Sequence, residues 1–353
     1  MKKKNVIVFS VTFVLTLAVL SGVYFALNTS FLAQKPESDV DNTSSQVLGS
    51  SSLEDVSVPN NAKNTTFLLC GLDLSEELTD VIMVVNLDTG KNEVNVLQIP
   101  RDTYIGMERF NTGKINSVYG TKQSGTTPIG RLIKEINRDF KLPIDHYATV
   151  NIPGLKNIVD SMGGVTVNIP QDINFLPGQT LKKGMQTLNG EKAEWFVRYR
   201  KGYNNADIGR MHAQSLFLTA CAEKALKMSK TQMLSFVTQN MNNITTDLTL
   251  AQVIGYYGSV SNMTIDNIHF YALEGSGVMY KGYAVYCLDK EKAADLLNEY
   301  FRPAGSEVPA KDLKIIEVKA EPAMSDNSSG KTVGESEKPA TKGESTVSTS
   351  SKK

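Results

Sequence analysis

Cysteine, histidine and net charge are the scarce commodities of this chain. Its 353 residues include three cysteines and three histidines, and 37 Lys plus Arg balance 37 Asp plus Glu. Cys70, Cys221 and Cys287 are odd in number and widely spaced in apolar runs. That excludes a disulfide framework or a thiolate zinc site and predicts buried free thiols. His146, His212 and His269 have no second metal-type ligand at helical or loop spacing, so a histidine metal centre is excluded as well. Balanced charge leaves no basic field to draw the protein onto nucleic acid, so any anion site must be local. There is no internal repeat and no Gly-x-Ser-x-Gly elbow, and no cysteine has a histidine close in sequence; covalent catalysis is not indicated. The stretch from Gly120 to Thr127 has phosphate-loop spacing without the lysine after its second glycine, and reads as a loop entering a helix.

What is present begins with a membrane signal. Lys2, Lys3 and Lys4 precede an apolar run over residues 6–27, long enough at helical rise to cross a hydrocarbon core. The basic flank puts residues 1–5 in the cytoplasm. A cleaved signal peptide is the rival reading, but its apolar core is shorter and ends in a small-x-small site. Residues 28–61 are rich in Ser, Asn, Asp and Gln and read as a disordered tether. Residues 306–353, most polar from Glu321 onward, read as a mostly disordered tail. Between them, residues 62–305 show no linker and predict one large α/β domain with a C-terminal extension.

Apolar runs predict strands over Thr66 to Leu72 and Val81 to Leu87. The latter forms a hairpin with the alternating Val94, Val96 and Ile99, through the turn Asp88-Thr89-Gly90-Lys91. Thr127-Pro128 predicts a capped helix start, with Ile129, Leu132, Ile133, Ile136 and Phe140 on its buried face. A strand near His146, a short helix closed by Gly163-Gly164 and a strand from Val165 to Ile169 suggest a βαβ unit. Asn189 predicts another cap, a long helix covers about Asp207 to Met228, and later strands lie near His269 to Leu273 and Tyr283 to Cys287.

Three constellations carry chemistry. Asp73 and Asp80 stand at the end of one strand and the start of the next, a pair that suits magnesium, whose shell takes one or two carboxylates plus water and phosphate oxygens. The alternative is that both acids cap turns. Ile99-Pro100-Arg101-Asp102 delivers Arg101 at a strand end, where guanidinium offers a fork to phosphate, and Lys114 follows nearby; an Arg101–Asp102 surface pair is the alternative. In the third, Arg198 and Arg200 precede a helix on which Asp207, Arg210 and Gln214 share one side, bordering the stripe of Met211, Leu218, Ala222 and Ala225. Three arginines beside a core stripe are costly unless they meet an anion. A salt-bridge network around Asp207 remains open, although one acid cannot neutralise all three.

Cys70-Gly71-Leu72-Asp73, Thr79-Asp80, Ile99-Pro100-Arg101-Asp102-Thr103, Lys114-Ile115-Asn116-Ser117 and the block from Arg198 to Gln214, in that order, resemble the LytR-CpsA-Psr family. Gly163-Gly164-Val165 and Leu188-Asn189-Gly190-Glu191-Lys192-Ala193 look like its connecting motifs, so the resemblance covers about Thr66 to Ala225. It implies a three-layer α-β-α sandwich with a central mixed sheet and an apolar pocket for a polyprenyl pyrophosphate. By position it implies magnesium on Asp73 and Asp80, pyrophosphate held by Arg101, Arg198, Arg200 and Arg210, and help from Lys114 and Gln214. Asp207 would orient the arginines, and the catalytic set is Arg101, Asp207 and Arg210. The implied reaction moves a glycopolymer from its lipid pyrophosphate to peptidoglycan, outside the membrane of a Gram-positive-type cell. Two features depart from the family pattern: the loop from Asp73 to Asp80 is short, and Ala213 replaces a basic or polar residue. A lipid-pyrophosphate hydrolase and a non-catalytic lipid-binding module are the rival functions.

Overall fold

β1 (Asn64–Leu72) is aliphatic on both faces, so it needs cover on both sides, and it lies inside a six-stranded sheet. The computed structural model describes residues 64–203, 206–249 and 263–318, with residues 252, 256, 259 and 260 between the last two stretches. The expected membrane helix at 6–27, the tether and the far tail lie outside the described residues. Among the described residues no helix is long and apolar enough to cross a membrane.

β1 pairs antiparallel with β2 (Thr79–Asp88), and β2 with β3 (Glu93–Gln98), as the turn chemistry predicts. On its other side β1 pairs in parallel with β4 (His146–Val150). The crossover into β4 runs through α1 (Pro128–Phe140), whose N-cap Thr127 accepts a hydrogen bond from the Gly130 N–H at 3.1 Å. α2 (Ile152–Ser161) follows β4 and ends on Gly163 and Gly164, both with positive φ.

The expected βαβ unit is corrected at the next element. β5 (Val165–Ile169) does not return to the central sheet; it pairs antiparallel with β8 (Gly184–Leu188) in a ribbon of its own. Its burial alternates along Val-Thr-Val-Asn-Ile, the pattern of a strand with one wet face and unlike a parallel strand covered on both sides. A second ribbon, β6 (Ile173–Leu176) with β7 (Gln179–Leu181), lies between them in sequence. Then come α3 (Gly190–Arg198), capped by Asn189, α4 (Ala206–Leu226) and α5 (Lys230–Asn240). β9 (Thr245–Thr246) joins the β4 edge and β10 (Ile268–Ala272) the β3 edge, giving the order β10-β3-β2-β1-β4-β9 with both parallel and antiparallel pairs. A hairpin of β11 (Gly275–Tyr280) and β12 (Tyr283–Leu288) precedes α6 (Lys290–Tyr300).

Alternate residues of each strand serve different cores. Leu68, Cys70, Ile82, Val84, Leu97 and Ile99 pack with α1 and α6, whereas Phe67, Leu69, Met83, Val85, Val96 and Val150 pack with α2, α3, α4 and α5. This is the expected layered α/β arrangement around a mixed sheet. The three cysteines are buried free thiols. Residues 306–318, counted with the tail in the sequence reading, pack instead: Ala310, Leu313 and Ile315 are buried in the α1–α6 core. Three apolar side chains among polar neighbours are too weak a pattern to read as an element, but they suffice to hold a segment whose one helical piece is the single 3-10 turn Ala310–Asp312.

Candidate active site

A one-residue irregularity builds the centre of the site. Gly71 pairs with Val81 and Leu72 with Thr79, so Asp80 is an extra residue in β2 with no partner across the ladder. A bulge bends the strand and re-aims its side chain. At Gly71 an added Cβ would come within 3.1 Å of the Val81 side chain, so a larger residue here would have to push Val81 aside by a few tenths of an ångström.

Two hollows meet there, sharing Asp80 and Val81. One is a mainly apolar cavity under α2, α3 and α4, walled by residues such as Val150, Leu155, Phe217 and Leu218, with Arg198 and Gln214 at its polar edge. It is open to solvent at its mouth. The other is a wider cleft of mixed lining between the sheet rim and the β11–β12 hairpin, with Arg101, Asp102 and Arg210 as charged side chains on its wall.

Arg101 follows the strand stop at Pro100, and its guanidinium donates a hydrogen bond to Asp80. The side chains are 15% and 23% exposed respectively, desolvated enough to be held and open enough to meet a ligand. Asp102 lies 3.9 Å from Arg101 and accepts a 3.1 Å ion pair from Lys114, so acid and base alternate from Asp80 to Lys114. Lys114 itself lines neither hollow.

Gln98 closes β3 as a buried polar residue. Its Nε2 donates to Gln214 Oε1 at 3.4 Å, its Oε1 accepts from the Ser215 hydroxyl at 3.3 Å, and Gln214 donates to the Val197 carbonyl at 3.2 Å. The strand is thereby tied to α3 and α4 beside Arg210, which is buried one turn before Gln214. Arg198 pairs with Glu194 at 2.5 Å and stacks over Phe175. Arg200, just past α3, lines neither hollow. Asp207 falls in the first turn of α4, but its side chain lies outside the described residues.

The carboxylate of Asp73 caps its own loop, accepting from the Leu78 N–H at 3.0 Å, the Glu77 N–H at 3.1 Å and the Ser75 hydroxyl at 2.7 Å. Burial pushes its pKa up, and these hydrogen bonds outweigh that and hold it below the usual carboxylate range. The turn-capping reading therefore describes Asp73 and not Asp80. Among the described residues no group of three or more His, Cys, Asp or Glu is placed to cage a metal ion.

Of the residues expected from sequence, Asp80, Arg101, Arg198, Arg210 and Gln214 border the paired hollows. Sequence reasoning missed Gln98, although a lone amide in the aliphatic run Val-Leu-Gln-Ile was a signal for it. It also missed β11, whose Gly-Ser-Gly start carries little periodicity, and with it that β12, expected as a strand, would wall the cleft.

The model of the LytR_cpsA_psr family matches residues 23–302. The chain belongs to this family. It is 28% identical to the polyisoprenyl-teichoic acid–peptidoglycan teichoic acid transferase TagU of Bacillus mycoides, over 86% of this chain and 94% of that one. It is 27% identical to TagV of Bacillus subtilis, named with the same activity, over 56% of this chain and 52% of the relative, so it spans about half the length of TagV. The crystal structure of B. subtilis TagV superposes with a TM-score of 0.58 at 24% identity, covering 69% of this chain and all of that one. TagT bound to LIIa-WTA superposes at 0.57 and 22% identity, covering 71% and 91%. At these identities the superpositions show the fold alone.

Proposed function

We propose that this LytR-CpsA-Psr protein transfers a glycopolymer from a polyprenyl pyrophosphate to peptidoglycan, on the outer side of a cell membrane to which residues 6–27 anchor it. The observation that carries this reading is the junction at Asp80, where an apolar cavity opens onto a cleft lined by Arg101 and Arg210. A polyprenyl pyrophosphate has the same two parts, a greasy tail and a diphosphate head. The names of the TagU and TagV relatives support the reaction class.

The tail fills the cavity against Leu155 and Phe217, and the diphosphate lies at the mouth. Arg101 and Arg210 hold its oxygens from the cleft and Arg198 from the cavity side, with Gln214 fixed between strand and helix. Lys114 acts at one remove, through Asp102, and Arg200 and Asp207 are assigned by family position. An acceptor hydroxyl, that of a muramic acid residue, attacks the polymer-side phosphorus and gives up its proton to solvent water. A new P–O bond forms there, the bond to the lipid phosphate breaks, and polyprenyl phosphate leaves with the electron pair. Charge grows on that leaving group, and preorganised guanidinium groups stabilise it most where it grows.

Asp80 at the junction and Asp73 in the adjoining loop suit a hard cation with a largely non-protein shell. Asp73 is kept ionised by the hydrogen bonds its carboxylate accepts. When bound, magnesium would neutralise diphosphate charge.

The test is to incubate the full-length protein with a lipid-linked saccharide, peptidoglycan oligomers and magnesium. Polymer linked to glycan and free polyprenyl phosphate are expected. Released, unlinked polymer points to a hydrolase, and binding without turnover to a lipid-binding module; either result overturns the proposal.

A further inference from the structure

A third hollow lies along the same sheet rim, and the transfer step as described leaves it unused. It shares Leu72 and Asn151 with the apolar cavity. Strand order puts it over β1, β4 and β9, on the side of the cavity mouth away from the β2–β3 cleft. Its chemistry differs from that of both neighbours. Asn151, Asn157, Asn242, Asn243, Thr149 and Thr245 contribute to its lining, together with one carboxylate, Glu76, and no Lys, Arg or His among the described lining residues.

Three of the four amides, those of Asn151, Asn157 and Asn243, are held in place by hydrogen bonds. Asn240, 1% exposed, donates to the Ser161 hydroxyl at 2.7 Å and the Phe236 carbonyl at 2.8 Å. Its Oδ1 accepts from Asn243 at 2.9 Å, and Asn243 Oδ1 accepts from Asn157 at 2.9 Å. At Gly154 an added Cβ would sit 2.5 Å from the Asn243 carbonyl, so this loop is seated directly on the first turn of α2. On the opposite wall Asn151 caps α2 through the Gly154 N–H at 2.8 Å and donates to Glu76 at 2.7 Å. Glu76 reaches over the hollow from a left-handed backbone with φ of 58°, a conformation costly for a non-glycine residue.

Each amide offers two donors and two acceptor lone pairs, and the relay from Asn157 to Asn240 uses only part of that capacity. A fixed array of donors and acceptors without a cation gives a phosphate or carboxylate nothing to pair with, and an apolar ligand would leave its amides unsatisfied. Sugar hydroxyls and acetamido groups both donate and accept, and they match it.

We propose that this hollow is a subsite for the uncharged amino-sugar backbone of the acceptor glycan, held beside the cavity mouth so that its hydroxyl meets the diphosphate. The assignment rests on the transferase reading. The sugar of the lipid-linked donor nearest its diphosphate shares this chemistry, and kinetics separate the two.

The variant Asn157→Ala/Asn242→Ala removes two exposed side chains and leaves the Asn240 anchor intact. With the full-length protein and an N-acetylglucosamine tetrasaccharide as probe, saturation-transfer NMR should show contact for the wild type and at least about tenfold weaker binding for the variant, the loss of one or two neutral hydrogen bonds. Equal binding by the variant, or none by the wild type, overturns the subsite. In transfer assays KM for peptidoglycan oligomers should rise about tenfold with KM for the lipid-linked donor unchanged; a rise for the donor instead overturns the acceptor assignment. The NMR result does not depend on turnover. A wild type that binds the tetrasaccharide and transfers nothing therefore counts against the transferase reading alone.

Discussion

The two faces of the central sheet are made from alternate residues of the same strands, and they meet different ends. On one face Leu68, Ile82, Val84 and Leu97 are sealed under α1 and α6. On the other, Val81 and Val150 line a cavity that α2, α3 and α4 roof without filling. Both faces are apolar, so composition does not separate them. The difference lies at the ends of the strands: a glycine at 71, a bulge at Asp80, and Gln98 where the other face has Leu97 and Ile99. An apolar cavity left open in a folded protein forfeits packing energy, and here it opens onto arginines.

Changes on the two faces should therefore fail in different ways. The largest effect is expected at the junction. Arg101→Ala removes the guanidinium facing the diphosphate, and the yield of wall-linked polymer should fall by about 100-fold or more while the thermal unfolding curve stays close to wild type. Near-normal transfer by the folded variant would remove Arg101 from the mechanism. On the sealed face, Leu68→Ala leaves a hole under α1 and should cost about 2–5 kcal/mol in urea unfolding. Transfer per folded molecule should be unchanged; a loss of specific activity would mean that this face is not purely structural. A smaller effect is expected from Leu155→Trp, which puts bulk into the cavity. KM for the lipid-linked donor should rise about tenfold with little change in the urea midpoint, and an unchanged KM would show that the tail lies elsewhere.

The smallest effect concerns the loop at the edge of the open face. The Asp73 carboxyl is held below its ordinary pKa, so it adds stability above the unfolded-state value, and that stability is lost as pH falls through the folded-state value. Asp73→Asn should therefore lower the urea midpoint near neutrality, with the gap to wild type closing in acid. A gap that stays constant with pH would contradict the loop-capping role.

The legible parts of the molecule were those written in periodicity and caps. The β2–β3 hairpin, α1 with its Thr127 cap and the buried Leu218, Ala222 and Ala225 of α4 follow from spacing, whereas Met211 of the same stripe is half-buried on the cleft wall; the strand stop at Pro100 placed Arg101 at the rim. The parts that could not be read depend on pairing partners. Val165 to Ile169 is a strand in either reading, and only the hydrogen-bonded neighbour decides that it joins Leu188 and not the central sheet. Asp73 and Asp80 look equivalent in sequence. The bulge separates them, turning one to the junction and leaving the other to cap its loop. The asparagine hollow joins residues from four separate stretches of chain, none of which carries a signal alone.

The central claim is that one site reads a greasy tail and a diphosphate together across the Asp80 junction. Calorimetric titration of the full-length protein with geranylgeranyl pyrophosphate and with inorganic pyrophosphate, for wild type, Arg101→Ala and Leu155→Trp, tests it most directly. The account predicts that the prenylated ligand binds far more tightly than pyrophosphate, that Arg101→Ala weakens both, and that Leu155→Trp weakens only the prenylated one. Equal affinity for the two ligands, or prenyl binding indifferent to Leu155→Trp, would contradict it.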